Sequence, residues 1–459
     1  MLEVRVPVIG VLFVTLLVAA SLALGGSVAQ ADDPPTGPKP PARHVVVRAD
    51  PTYNPYRVAA PPPRDPDQVG VQAVSFNINY DVAGCSGGTF SAWPAAAKTA
   101  FNYAAAQWSA LLDGSVTIDI HACWQSNLPA GVLGGASHDW VHASDFSNEP
   151  IGSSWYPSAL ADQLHGSNTN GTNYDIDATF SSTFNWYYGT DGNTPFGQYD
   201  FVSVVMHEIG HGLGFDGLMT YGAFCGGATS GCWGYGSGFP GVYDRFTENG
   251  SNQALLNTTL FPNPSGALGS QLTNNNLYFD GPNARAVNGG SRVKIYAPTT
   301  WKGGSSYAHL DEVFNNTPHA LMTFALSNGE SEHDPGAVTL GMFQDMGWTM
   351  VSSGPPTAPS GLNASAVSRT QINLSWTDNS SVEDGYKIWR SPNGATGWRQ
   401  VDTVGVNGTA FSDTTVVSGS TYYYRVNAYN ENGDSAYSNI VRAIVGIKTY
   451  LPLILVNWP

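Results

Sequence analysis

Residues 207–217 read His207-Glu208-Ile209-Gly210-His211-Gly212-Leu213-Gly214-Phe215-Asp216-Gly217. On a helix, residues four apart share a face, so His207 and His211 can grip one metal ion. Glu208 sits beside them, placed to take a proton from water at that metal. Patterns this short also arise by chance, but the context argues against chance here. Phe201-Val202-Ser203-Val204-Val205-Met206 leads in, and Ile209, Leu213 and Phe215 continue the apolar character. A helix built this way is mostly buried. Two imidazoles and a carboxyl buried on it would be costly unless something satisfied them, and a metal ion does so. Asp200 is a suitable N-cap, and Gly214 offers a helix stop.

A hydrolytic zinc site takes three protein ligands and keeps one place for water. The third ligand is not adjacent, because the tenth place after His207 is Gly217. Asp216 lies one place earlier, with Asp244 and Glu248 further on. The other histidines are His44, His121, His138, His142, His165, His309, His319 and His333.

Composition narrows the class. The chain has 459 residues, enough for two or three domains, and a formal net charge of −16. Nucleic acid as a partner is excluded, since phosphate binding wants a basic patch. Charged residues are scarce, while Gly, Asn, Ser, Thr and Tyr are plentiful, which suits an exported protein of strands and loops. Residues 6–24 are apolar after Arg5, and Ala29-Gln30-Ala31 fits a cleavage site, so 1–31 reads as a signal peptide. A secreted or cell-surface location follows, with no membrane span once the signal is removed. The four cysteines then suggest two disulfides, Cys225 with Cys232 and Cys85 with Cys123. Asp and Asn leave a structural calcium site open, though no EF-hand-like loop is present.

Residues 32–72 are crowded with Pro and read as an extended or disordered linker or a short pro-segment. A domain spans 73–352. Val74–Tyr80 alternates as a strand, 90–112 carries Trp93, Phe101 and Trp108 at helical spacing, and Val116–Ile120 is a second strand. A third strand falls at Tyr174–Phe180, before the metal helix. The stretch 216–300 reads as loops. A Pro/Ser/Gly hinge at 351–360 precedes strands only: Ile372–Trp376, Gly385–Trp389 and Tyr422–Ala428. Residues 447–459 form a short apolar tail.

Two resemblances sharpen this. Pro359-Ser360-Gly361-Leu362, Trp376, Tyr386 and Tyr424-Arg425-Val426 make residues 357–446 resemble a fibronectin type III domain. That implies an all-β immunoglobulin-like sandwich, a spacer by default or a module for a cell-surface or matrix ligand. Residues 303–323, Gly-Gly-Ser-Ser-Tyr-Ala-His-Leu-Asp-Glu-Val-Phe-Asn-Asn-Thr-Pro-His-Ala-Leu-Met-Thr, resemble the leishmanolysin branch of the metzincin zinc peptidases. The close Asp345-Met346-Gly347-Trp348 is also similar. The resemblance implies an α+β domain with a mixed sheet, an active-site helix and a loop-rich lower half. It places the third ligand at His309 and the Met-turn, a hydrophobic floor beneath the metal, at Met322. His319 and Asp216 are the next candidates and His333 a lesser one. The chain departs from the family in its Gly-rich insertion with its own cysteine pair, in its few cysteines, and in Phe324 where some metzincins carry a catalytic tyrosine.

The expectation is a secreted endopeptidase. Zn²⁺ is held by His207, His211 and His309, with Glu208 as general base and peptides or proteins as substrates. The substrate cleft should run between the two halves that the metal ties together. Two alternatives remain. One is a carbohydrate-active or surface-binding protein, suggested by 13 Trp and 22 Tyr but lacking a carboxylate pair with a motif around it. The other is a dead peptidase kept for adhesion, which would have no use for Glu208.

Overall fold

The computed structural model describes residues 35, 37–60, 73–80, 85, 89–351, 355–380, 383–430 and 433–446. The N-terminal stretch read as a signal peptide, the Pro61-Pro62-Pro63 run and the apolar tail lie outside them. Among the described residues no helix is long and apolar enough to cross a membrane.

The helix that carries His207 and His211 is held against a six-stranded mixed sheet. Its strands are β1 (Val45–Tyr53), β2 (Phe76–Asn79), β3 (Ile118–Gln125), β4 (Val132–His138), β5 (Ile176–Ser181) and β6 (Ala325–Asn328). Their order is β6-β1-β4-β5-β3-β2. Strands β2, β3 and β5 run parallel, β4 is antiparallel to β5, β1 is antiparallel to β4, and β6 is parallel to β1.

Helix α1 (Ala95–Leu111) packs on α3 (Phe201–Gly212), the helix of His207 and His211, through a small-residue face, with α2 (Ser158–His165) between them in the chain. Ala97, Ala100, Ala104 and Ala105 allow close approach, while Phe101 and Trp108 fill the seam. The Trp108 indole N–H donates to the Met206 carbonyl at 2.9 Å. All twelve residues of α3 are buried. Each fully buried Val, Ile or Phe contributes about 1.5–3 kcal/mol, so this helix anchors the core. Asp200 caps it as expected, accepting from the Ser203 N–H at 2.7 Å. A last helix, α4 (Gly336–Met346), leads into Trp348, whose indole N–H donates to Leu213 O at 3.0 Å and ties the end of the domain to the end of α3.

Two sequence expectations need correction. Within the stretch read as an extended or disordered linker or short pro-segment, Val45–Tyr53 and Arg57–Val58 are ordered strands: β1 lies inside the sheet, and Arg57–Val58 pairs with Ser331–Glu332. Proline content masked the alternation of Val45 and Val47, the two fully buried positions. The stretch 216–300 is not loops alone. It holds the hairpin Met219–Tyr221 with Gly231–Trp233, a three-stranded sheet (Thr247–Asn249, Leu277–Phe279, Val293–Ile295) and short helices at Gly266–Leu272 and Pro282–Val287. Three-residue strands are too short to show a period. Strand β4 also escaped notice, because Gly134-Gly135-Ala136-Ser137 gives no apolar alternation.

Both disulfides pair as expected, Cys85 with Cys123 and Cys225 with Cys232. The C-terminal unit is a two-sheet sandwich. Ser360–Ala366, Ile372–Thr377 and Ala410–Asp413 form one sheet. Gly385–Ser391, Arg399–Gly405, Thr421–Asn430, Gly433–Asp434 and Val441–Ile444 form the other. Trp376, Tyr386, Ile388, Tyr424 and Val426 fill its core.

Candidate metal centre

Helix α3 puts His207 and His211 on one face, and the loop after residue 300 brings His309 onto them. The three Nε2 atoms converge, with His207–His211 at 2.9 Å and His309 at 3.2 Å from each. The three Nδ1 atoms all face backbone carbonyls: Leu321 O at 2.5 Å, Phe215 O at 2.8 Å and Ser305 O at 2.7 Å. A carbonyl only accepts, so each Nδ1 carries the proton and donates. Each Nε2 is then a bare lone pair. Three lone pairs meeting in a buried space repel unless a cation lies among them. Tetrahedral zinc with Zn–N near 2.0–2.1 Å sets its nitrogens about 3.3 Å apart, close to this triangle. The residues present therefore fit zinc, and the carbonyls fix both tautomer and ring orientation.

Burial sets the electrostatics. It holds the His207 imidazole down to about 4, against the pull of the Leu321 carbonyl. His211 and His309 lie well below the ordinary imidazole range, first by burial and then by their neighbouring histidines. All three are neutral at physiological pH, the form in which an imidazole can hold a metal. Glu208 is fully buried, and burial pushes its carboxyl well above the usual range despite the Val47 and Ala136 N–H groups. Its Oε1 accepts from the Val47 N–H at 3.2 Å, while Oε2 has no hydrogen-bond partner among the described residues.

Met322 is fully buried beneath the helix. A Cβ added to Gly210 would lie 2.7 Å from its Sδ, so the glycine in the motif is what lets the floor come this close. The Met322 carbonyl accepts from the Leu310 N–H at 2.8 Å, which joins the floor to the His309 segment. Two residues before His309, Tyr307 holds φ at +77°, a costly setting for an aromatic residue. It is fixed by its hydroxyl, which donates to Asp244 at 2.7 Å, and by its N–H on Tyr296 O. Asp244, a downstream acidic candidate for the third ligand, instead braces Tyr307, and sequence reasoning missed the three carbonyls, because backbone acceptors leave no mark in a sequence.

The rival ligands lie elsewhere. Asp216 pairs with Arg43 at 2.5 Å, His333 pairs with Asp200 at 2.9 Å, and His319 packs on Phe314. Phe324 stacks on Tyr296 with ring centres 4.3 Å apart. A second cluster, Cys85, His121 and Cys123, has its two sulfurs joined in a disulfide and so lacks thiolates for a metal.

Known proteins bear on parts of this chain. Residues 357–444 match the fibronectin type III domain family. The C-terminal sandwich is a fibronectin type III domain. Residues 145–220 match a family described as SPBPB7E8-like, a span that contains α3. No curated protein matches the chain. Among solved structures, a crystal structure of titin domains is 28% identical over 20% of this chain and 33% of that one, with a TM-score of 0.19. A structure of titin kinase and its flanking domains is 26% identical over 20% of this chain and 17% of that one, also at 0.19. The chain thus spans a third or less of these first matches. An Fn3-like protein from Clostridium thermocellum is 25% identical over 21% of this chain and all of its own length, with a TM-score of 0.18.

Proposed function

We propose that the N-terminal α+β domain is a zinc-dependent endopeptidase of the metzincin type, in the leishmanolysin-like branch, acting outside the cell. One observation carries the reading: three buried Nε2 lone pairs meet within 2.9–3.2 Å, with Glu208 on the same helix. A zinc ion at that point supplies Lewis acidity that acidifies water and polarises a peptide carbonyl. Three neutral imidazoles leave the charge on the ion largely intact. Glu208 takes the proton from the attacking water and returns it to the departing amine. Its raised affinity for protons suits the second half of that task.

Met322 beneath Gly210, and His309 placed 98 residues after His211, support the assignment to this branch. The two disulfides and the apolar start of the chain support export. We assign the fibronectin type III domain a docking role toward a cell-surface or matrix ligand.

The test is zinc content of the purified chain together with casein cleavage before and after chelation. One zinc per chain, removed along with the cleavage, is the expected result. A chain that holds no zinc, or whose cleavage of casein survives chelation, would sink the reading.

A further inference from the structure

We propose that Cys85, His121 and Cys123 form a second, redox-gated metal site. It is closed as a disulfide when oxidised, and becomes a site of two thiolates and one imidazole for zinc or another thiophilic divalent cation when the disulfide is reduced. The site stands apart from the three-histidine centre and does not depend on the peptidase reading.

Alternation along β3 puts two of the three residues side by side. Ile120, Ala122 and Trp124 enter the core shared with α3, so His121 and Cys123 take the opposite face of the sheet. Cys85, which follows β2 in the chain, reaches the same point and is bonded to Cys123. The His121 Nε2 lies 3.8 Å from Cys85 Sγ and 4.0 Å from Cys123 Sγ. The ligand atoms of all three residues fall within 4.8 Å of one another. Cys225 and Cys232 belong to no such cluster among the described residues.

The imidazole is held as metal-binding imidazoles are held. Asp177, directly across from His121 on β5, has its Oδ1 3.0 Å from Nδ1. A carboxylate only accepts, so Nδ1 donates and Nε2 is the acceptor nitrogen turned toward the sulfurs. A carboxylate behind a histidine fixes its tautomer and makes it a better ligand. The ring also stacks on Tyr174, with centres 4.8 Å apart and planes 14° apart. Position, tilt and tautomer are thus set before any ion arrives.

Opening the site takes one reductive step. With a phosphine as reductant, the S–S bond breaks, phosphorus takes the oxygen of a water molecule, and the two hydrogens of that water leave Cys85 and Cys123 as thiols. A divalent cation then displaces both thiol protons. Two thiolates and a neutral imidazole cancel the charge of the ion, which suits a place where Cys123 and His121 are buried. Tetrahedral zinc, with Zn–S near 2.3 Å and Zn–N near 2.0–2.1 Å, sets sulfur and nitrogen about 3.6 Å apart and the two sulfurs about 3.8 Å apart. The sulfur–nitrogen spacings here are close to that already. The released sulfurs must part by roughly 2 Å, which side-chain rotation supplies across a Cα–Cα distance of 5.9 Å. Cys85 is half-buried, so water can complete the coordination. Sulfur ligands select zinc-like cations over calcium and magnesium.

The experiment uses the full chain, reduced with the phosphine, desalted without oxygen and titrated with Co²⁺. The three-histidine centre has no sulfur, so a thiolate-to-cobalt charge-transfer band in the near ultraviolet reports on cysteine ligands alone. The reduced chain is expected to show that band and the oxidised chain to lack it, and added zinc should bleach it. Cys85→Ser should abolish the band while Cys225→Ser keeps it. Asp177→Ala should weaken cobalt binding at this site by about 10–100-fold, and His121→Ala by at least as much. A reduced chain without the band overturns the proposal. So does a band that His121→Ala and Asp177→Ala leave unchanged, the behaviour of thiolates in an unstructured chain. Circular dichroism is recorded alongside, and a reduced chain that unfolds and is not refolded by the cation overturns it as well.

Discussion

Gly217 and Asp244 stand so close that a Cβ on the glycine would lie 2.3 Å from Asp244 Oδ1 and 2.5 Å from the Tyr307 ring. The tenth place after His207 is here a close-packing point. It braces Tyr307, and Tyr307 braces His309. Gly217→Ala should therefore cost about 1–3 kcal/mol through overpacking, read as a drop in Tm. Gly217→His should be worse and should not restore zinc to a His309→Ala chain. Recovery of stoichiometric zinc in that double variant would show that the site can be rebuilt with an adjacent ligand.

Ligand and base should separate cleanly. His309→Ala leaves two Nε2 donors and a buried gap, so zinc should be lost from the dialysed protein. Glu208→Gln keeps the shape and removes the proton carrier. It should retain zinc and fold while casein cleavage falls by about 10²–10⁴-fold. Zinc retention and full activity in His309→Ala would make another residue the third ligand.

Acid should unfold the centre and empty it in one step. His207 is held down to about 4 by burial, against an ordinary value near 6.5. The unfolded chain then binds more protons than the folded one between those values. The stability this provides is fully present above pH 6.5 and is lost as pH falls toward 4, amounting to about 3 kcal/mol for this group in the metal-free protein. His211 and His309 shift in the same direction. Folded ligands take protons only near the bottom of that window, so zinc release followed with a colorimetric indicator should coincide with loss of circular dichroism. Zinc leaving near pH 6 from a chain that is still folded would contradict the buried, neutral ligands.

What could be read in advance followed the periodicity and chemistry of side chains. The apolar run 201–206 with His207 and His211 announced α3, and Phe101 and Trp108 announced α1, with Trp93 lying just ahead of its first turn. Trp376, Tyr386 and Tyr424 announced the sandwich. His309 and Met322 came only through family resemblance, since nothing local distinguishes His309 from His319. Strands β1 and β4 stayed hidden for opposite reasons. One is crowded by proline on both sides, and the other is built on Gly134-Gly135, where the first residue has the Glu208 side chain 3.3 Å from its would-be Cβ. Close approach to a buried side chain selects small residues, and small residues carry no pattern. The tautomer-fixing carbonyls of Ser305, Phe215 and Leu321 are invisible for a deeper reason, because every residue has one.

The sandwich offers a test of independence. Asp413 is 2% exposed and accepts from Arg390 at 2.6 Å and from the Tyr424 hydroxyl at 2.8 Å. Its other oxygen accepts from the N–H and hydroxyl of Thr415. Burial alone would raise this carboxyl, yet these donors and the Arg390 charge bring it below the usual range. The pairing therefore contributes fully above the ordinary carboxylate range and is lost as pH falls through the lower folded value. Asp413→Ala strands a guanidinium that is 4% exposed, and removing one partner of a buried pair costs about 3–5 kcal/mol. The cores of the sandwich and of the metal domain are separate clusters of residues. Calorimetry of the variant should thus show one transition moved down by several degrees, with zinc content and the acid-release midpoint unchanged. A concurrent loss of zinc would mean that the two domains are energetically coupled.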